Sequence, residues 1–252
     1  MDEQSIYGQA VEVLSRHGIL IAAVVITSLG GTLGEVLLGE RLLLRILWLA
    51  ALMPLHFGAL ALALDAWRGE PTHLGRIVEF YKPQRLGSAL LCTALWGLAL
   101  GICGFAIFAV VMLLSSLVFL VGMLAVVLVA AALFFCLATF YIIVYPPVLT
   151  YVDQPDLSLS DAFDRGTSLI SGRYKELLGQ AWGVCWRTLL VAVLPLIMIG
   201  ALGKDSLAST VIMAVVDAVI GGYVLTIIAG IWLKLQPQQT PPEKTDLLEE
   251  IL

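Results

Sequence analysis

The stretch that decides the fold runs from residue 86 to residue 152: LGSALLCTALWGLALGICGFAIFAVVMLLSSLVFLVGMLAVVLVAAALFFCLATFYIIVYPPVLTYV. Between Arg85 and Asp153, these 67 residues contain no Asp, Glu, Lys or Arg. A water-soluble domain has no way to hide so long a run. A bilayer's hydrocarbon core takes about 20 apolar residues per helix, so this block alone supplies two or more crossings. The class that follows is an all-α, polytopic integral membrane bundle.

Composition agrees. The chain has 252 residues, 60% hydrophobic and 13% charged, against roughly 25% charged in a soluble domain, and a mean hydropathy of +0.98. The net charge of -5 is spread over loops and tails, with no basic stripe of the kind that binds nucleic acid. Asp2 and Glu3 stand where a signal peptide carries positive charge, so the first apolar block reads as a lasting span. Cys92, Cys103, Cys136 and Cys185 all fall in apolar blocks without a CxxC pair. They read as small buried apolar residues.

Outward from the decisive block, hydropathy gives about six spans: 19–38, 46–67, 86–114, 117–151, 177–201 and 207–233, with a turn expected at Ser115-Ser116. Short turns at 39–45, 115–116 and 202–206 make three helical hairpins. Residues 1–18 form an N-terminal segment, 19–234 the six-span domain and 235–252 a polar, proline-broken tail expected to be mostly disordered. Arg16, Arg68, Arg76, Lys82, Arg85, Arg165, Arg173, Lys175, Lys234 and Lys244 fall on one side, and Arg41, Arg45 and Lys204 on the other. The positive-inside rule then puts both termini in the cytoplasm.

The two cytoplasmic loops, WRGEPTHLGRIVEFYKPQR and YVDQPDLSLSDAFDRGTSLISGRYKE, resemble each other. Each has a proline-containing turn, a short helical stretch and basic residues at the next span. In the second, Ser158 and Asp161 make a capping box. Leu74, Ile77, Val78 and Tyr81 share one face in the first loop, and Phe163 and Ile170 one face in the second. Both read as interfacial helices lying apolar side down on the inner leaflet, with plain polar connectors as the alternative. The likeness also suggests an internal parallel duplication.

The stretch VYPPVLTYVDQPDLSLSDAFDRGTSLISGRYKELLGQAW resembles the signature region of the YciC-like bacterial inner-membrane proteins. These are related to the membrane domain of some glycerophosphodiester phosphodiesterases. Carrying the resemblance are Pro146-Pro147, the acidic turn from Asp153 to Asp156, Ala162 with Ser168, Gly172-Arg173 and Trp182. It implies a six-span fold in a bacterial inner membrane. It implies no reaction, because the phosphodiesterase relatives hold their chemistry in a separate soluble domain that has no counterpart here.

Three ionisable side chains fall near the middle of spans: His56, Arg187 and Asp217. Such residues are expensive in hydrocarbon and are expected to face the bundle interior. Arg187 and Asp217 sit at similar depth on antiparallel neighbours, which suggests an ion pair, either a structural lock or part of a polar pathway. His56 follows Pro54 by two residues, and its imidazole has a freed backbone carbonyl within reach; a proton relay is the sharper alternative. Gly30 with Gly34, and Gly97 with Gly101 and Gly104, mark faces expected to meet protein.

No GxSxG, HExxH or phosphate-cradling loop occurs, and no cofactor is implied. The reading is a non-catalytic membrane protein, a scaffold or regulator of envelope components in contact with lipid. The alternative is a transporter, or the membrane subunit of one, using the polar trio. Expected partners are membrane lipids, with other membrane proteins or a second copy left open.

Overall fold

The computed structural model describes residues 6–121, 144–184 and 207–236, and every regular element among them is helical. In chain order they are α1 (Ile6–Arg16), α2 (Gly18–Leu38), α3 (Leu42–Arg68), two short 3-10 turns (Leu74–Arg76 and Glu79–Tyr81), α4 (Pro83–Val121), α5 (144–153), α6 (Leu159–Ile170), α7 (174–184) and α8 (Leu207–Leu235). Three of these are long and apolar enough to cross a bilayer: Gly18–Leu38, Leu42–Arg68 and Val211–Leu235. Their outer faces suit acyl chains: Leu33, Leu42, Leu43 and Val211 are all at least half exposed. This is a helical membrane protein.

Helix α3 is the centre of the bundle. From Phe57 to Ala66 every residue is buried, on all sides of the helix. The sequence explains how. Alanines 59, 61, 63 and 66 interleave with Leu60, Leu62 and Leu64, so α2, α4 and α8 can approach closely while leucines fill the gaps. Close packing matters here because lipid tails are as apolar as leucine and give helices no hydrophobic reason to associate. The helix ends in a left-handed Gly69 (φ 71°), whose amide donates to the Ala66 carbonyl, while the Glu70 amide donates to that of Asp65. Only glycine takes that φ without strain.

Glycines fix two of the crossings. Trp48 of α3 lies over Gly34 of α2 and donates its indole N–H to the Gly30 carbonyl at 2.8 Å. Trp67 lies over Gly230 of α8 and donates to the Thr226 carbonyl at 2.7 Å. The Gly30–Gly34 face therefore meets protein, as expected. A methyl on Gly97, Gly101 or Gly104 of α4 would meet nothing within 4 Å among the described residues.

Three expectations need revision. The turn expected at Ser115-Ser116 is absent, because α4 runs unbroken through both serines to Val121. Serine lowers helix stability by only about 0.5 kcal/mol, whereas opening backbone hydrogen bonds in hydrocarbon costs several. The N-terminal segment, given no element from sequence, forms α1, which packs Ala10 against Ile227 and Val184. The first of the two loops is two 3-10 turns folded back along α3, not one helix: Arg76 meets Asp65, Ile77 meets Gly58, Phe80 meets Phe57, and the Tyr81 hydroxyl reaches the Ala51 carbonyl.

Candidate functional site

The loop face of the bundle gathers the ends of α3, α5 and α8 with the starts of α4 and α7, and its polar side chains pair with one another. Asp153, at the end of α5, is its hub. The Arg68 guanidinium grips it in a fork, Nη1 to Oδ1 at 2.6 Å and Nη2 donating to Oδ2 at 2.9 Å. Gln236, just beyond α8, donates its side-chain amide to the same Oδ2 at 2.8 Å. The Asp153 side chain is 5% exposed, so removing the arginine would leave a buried carboxylate without its charge partner.

A second chain of charges holds the first loop. Arg76 donates from Nε to Asp65 of α3 at 3.2 Å and from Nη1 to Glu79. Glu79 also takes Nη1 of Arg85, in the first turn of α4. Arg85 reaches on to Asp156 at 3.7 Å, but that carboxylate is 98% exposed, so this last contact is weak. Burial of Glu79 on its own would raise its pKa. The hydrogen bond from Arg76 and the charges of Arg76, Arg85 and Lys82 outweigh it, and the carboxyl sits below its ordinary value.

In the second loop, α6 forms where the capping box predicts it. Ser158 Oγ accepts the Asp161 amide at 3.1 Å. Arg165 donates to the Gln154 side-chain carbonyl at 3.0 Å. Gly166 lets α6 lie directly on α5: a methyl there would come within 2.5 Å of the Pro147 backbone. The proline pair thus closes a backbone-to-backbone contact.

Beneath this charged layer lies an aromatic one. His56 of α3 stacks on Trp96 of α4 with centroids 5.6 Å apart, and Tyr145 of α5 meets the same indole edge-on at 5.5 Å. Phe57, Phe80 and Tyr151 continue the cluster at 5.8 to 6.4 Å. His56 Nε2 is buried and has no hydrogen-bond partner among the described residues. Cys92, a free thiol, is buried in the same cluster.

The residues singled out from sequence fall as follows. Leu74 is half exposed and Tyr81 is more than a third exposed, but Ile77 turns inward against α3. Phe163 and Ile170 are partly buried against the protein. Arg187 lies outside the described residues, and of Asp217 the structure describes only the backbone, in α8. The proposed Arg187–Asp217 pair therefore lies outside the described residues. Sequence reading used Arg68, Arg76 and Arg85 only to orient the spans and missed their partners Asp65, Glu79 and Asp153. The spacing held a clue to one pair, since Glu79 follows Arg76 by three residues.

Comparison of the chain with family models, curated proteins and solved structures returns no match.

Proposed function

We propose that the chain is a non-catalytic, multi-pass protein of a bacterial inner membrane, a scaffold or regulator of other membrane components in contact with lipid. In this reading it crosses six times, holds both termini and both loops in the cytoplasm, and is of the YciC-like type that its second loop resembles. One observation carries the role: the charged groups of the loop face are taken up by each other. Arg68 is bound by Asp153, and Arg76 and Arg85 by Asp65 and Glu79. Such a layer rigidifies the surface it presents. Leu74, Val78 and Tyr81 beside Lys82 offer that surface apolar contacts for a leaflet.

The test is gentle purification with mass spectrometry of whatever proteins and lipids remain bound. Stoichiometric retention of a membrane protein or a lipid class, lost on Leu74→Asp with Val78→Asp, supports the role. A chain that purifies alone and unlipidated overturns it.

A second reading, transport through a midplane polar site of His56, Arg187 and Asp217, is favoured by the buried His56 Nε2, which has no hydrogen-bond partner among the described residues. Single cysteines placed beside Asp217 separate the two. Rapid reaction with a membrane-impermeant thiol reagent supports an aqueous pathway; silence supports the scaffold.

A further inference from the structure

The two loops share more than a general likeness. Arg76 donates to a side chain eleven residues earlier, Asp65, and Arg165 does the same to Gln154. Gly58 lies against the backbone of Ile77, and Gly166 against that of Pro147, nineteen residues apart in each case. His56 and Tyr145 both pack on Trp96, from α3 and α5. One shift of 89 positions carries 56, 58, 65, 76 and 77 onto 145, 147, 154, 165 and 166. The residues read as facing lipid obey it too, Leu74 falling on Phe163 and Tyr81 on Ile170. Independent contacts of three kinds, hydrogen bond, backbone crossing and ring packing, share one register.

We infer that residues 56–85 and 145–174 are two copies of one self-latched helix–loop unit, and that the Arg68–Asp153–Gln236 contact is a separable clasp between them. The sequence shows only a general likeness of the two loops and not this register, at which the two stretches have only Leu60/Leu149 and Arg76/Arg165 in common. What is repeated is a contact pattern: a span, a loop folded back onto it at a residue without a bulky side chain in the way, and an arginine tying the loop to the span's end. Both copies run span to loop in the same direction, the arrangement of a parallel repeat.

The two kinds of contact differ in how they can open. Within a copy, backbone touches backbone at Gly58 and at Gly166, so loosening it means refolding the loop. Below the loop face the copies share the ring packing of Phe57 and Phe80 on Tyr151. On the loop face they are joined by polar groups, chiefly the Arg68 fork and the Gln236 amide on Asp153, with the Tyr151 hydroxyl on the Arg85 carbonyl and a weak Arg85–Asp156 contact beside them, which water can replace one by one. Cys92 of α4 lies buried beside Tyr151 of α5, in the seam between the copies. Opening the clasp uncovers that thiol. The inference stands apart from the proposed role and does not depend on it.

The experiment uses full-length protein in detergent micelles with Cys103, Cys136 and Cys185 each replaced by alanine. It reads the rate of Cys92 alkylation by N-ethylmaleimide and the Tm. Asp153→Asn is expected to raise the labelling rate at least fivefold with a smaller loss of Tm than Gly166→Ala, which breaks a contact within a copy. Gln154→Asp gives the second copy the acid of the first, and is expected to raise Tm at the parent labelling rate. Parent-rate labelling of Asp153→Asn, or labelling that rises only with a Tm loss as large as that of Gly166→Ala, overturns the clasp. A Tm that falls or stays put in Gln154→Asp overturns the equivalence. Should Asp153→Asn fail to accumulate, Gln236→Ala removes only the neutral arm; about twofold faster labelling upholds the clasp, and the parent rate overturns it.

Discussion

Single side chains hold this bundle at points where nothing larger fits. Gly230 is the clearest: a methyl there would run into the Trp67 ring, with Cε2 at 2.7 Å and Cη2 at 2.9 Å. The indole cannot retreat without giving up its 2.7 Å bond to the Thr226 carbonyl. Gly230→Ala should therefore cost about 1–3 kcal/mol of overpacking, seen as a lower Tm and a changed tryptophan emission; an unchanged Tm would mean the α3–α8 crossing gives way easily. Glu79 makes the pH-dependent prediction. Its pKa is lowered in the folded state, with the opposing cost of burial outweighed by Arg76, Arg85 and Lys82. A carboxyl depressed on folding contributes stability that is whole above its unfolded value, about 4.3, and is lost as pH falls through the lower folded value. Tm should hold from pH 7 to about pH 5 and fall below about pH 4. Glu79→Gln should lie lower at pH 7 and show a shallower acid fall, and an identical acid limb in both proteins would remove Glu79 from the account.

At the level of elements, local signals and long-range contacts divide the labour. Helix α6 rests on a local one, the Ser158 cap on the Asp161 amide. Ser158→Ala should cost about 1 kcal/mol and speed hydrogen exchange in residues 159–162, while the exchange of α3 stays at its parent rate; equal exchange in α6 would show that Gly166 alone holds it. Because caps and hydropathy are local, α6, α2 and α8 were legible in the sequence to within a few residues. The first loop was not. Its alternation of apolar and charged residues fits a surface helix, yet it folds back along α3 because Gly58 leaves room for the Ile77 backbone, a contact spanning nineteen residues. Amphipathic spacing says which side of a segment is apolar and nothing about whether lipid or protein covers it; Ile77 and Phe80 are covered by protein. The serines of α4 misled in the opposite way. A polar pair in an apolar run looks like a turn, but without glycine or proline nothing forces the chain out of its helix. The charge cluster was half legible: the arginines stood out, while their acids were separated in sequence by up to 85 positions.

For the molecule as a whole, the Arg68–Asp153 fork carries a topological consequence. A bond of 2.9 Å between the end of α3 and the end of α5 means that both helices finish on the same face, and Gln236 brings the end of α8 there too. The loops that follow α3 and α5 must then lie on one side of the membrane, whichever side that is. Which side is a separate expectation, read from the arginine and lysine in and around these loops. The two statements can fail separately. In a cysteine-free background, His73→Cys and Ser160→Cys each place a thiol at an exposed position, one per loop. Both should resist a membrane-impermeant maleimide in intact spheroplasts and react once the membrane is permeabilised. Reaction of both from outside would reverse the orientation and leave the bundle as described. Reaction of one and protection of the other would contradict the fork itself, and with it the shared face on which the clasp and the paired loops depend.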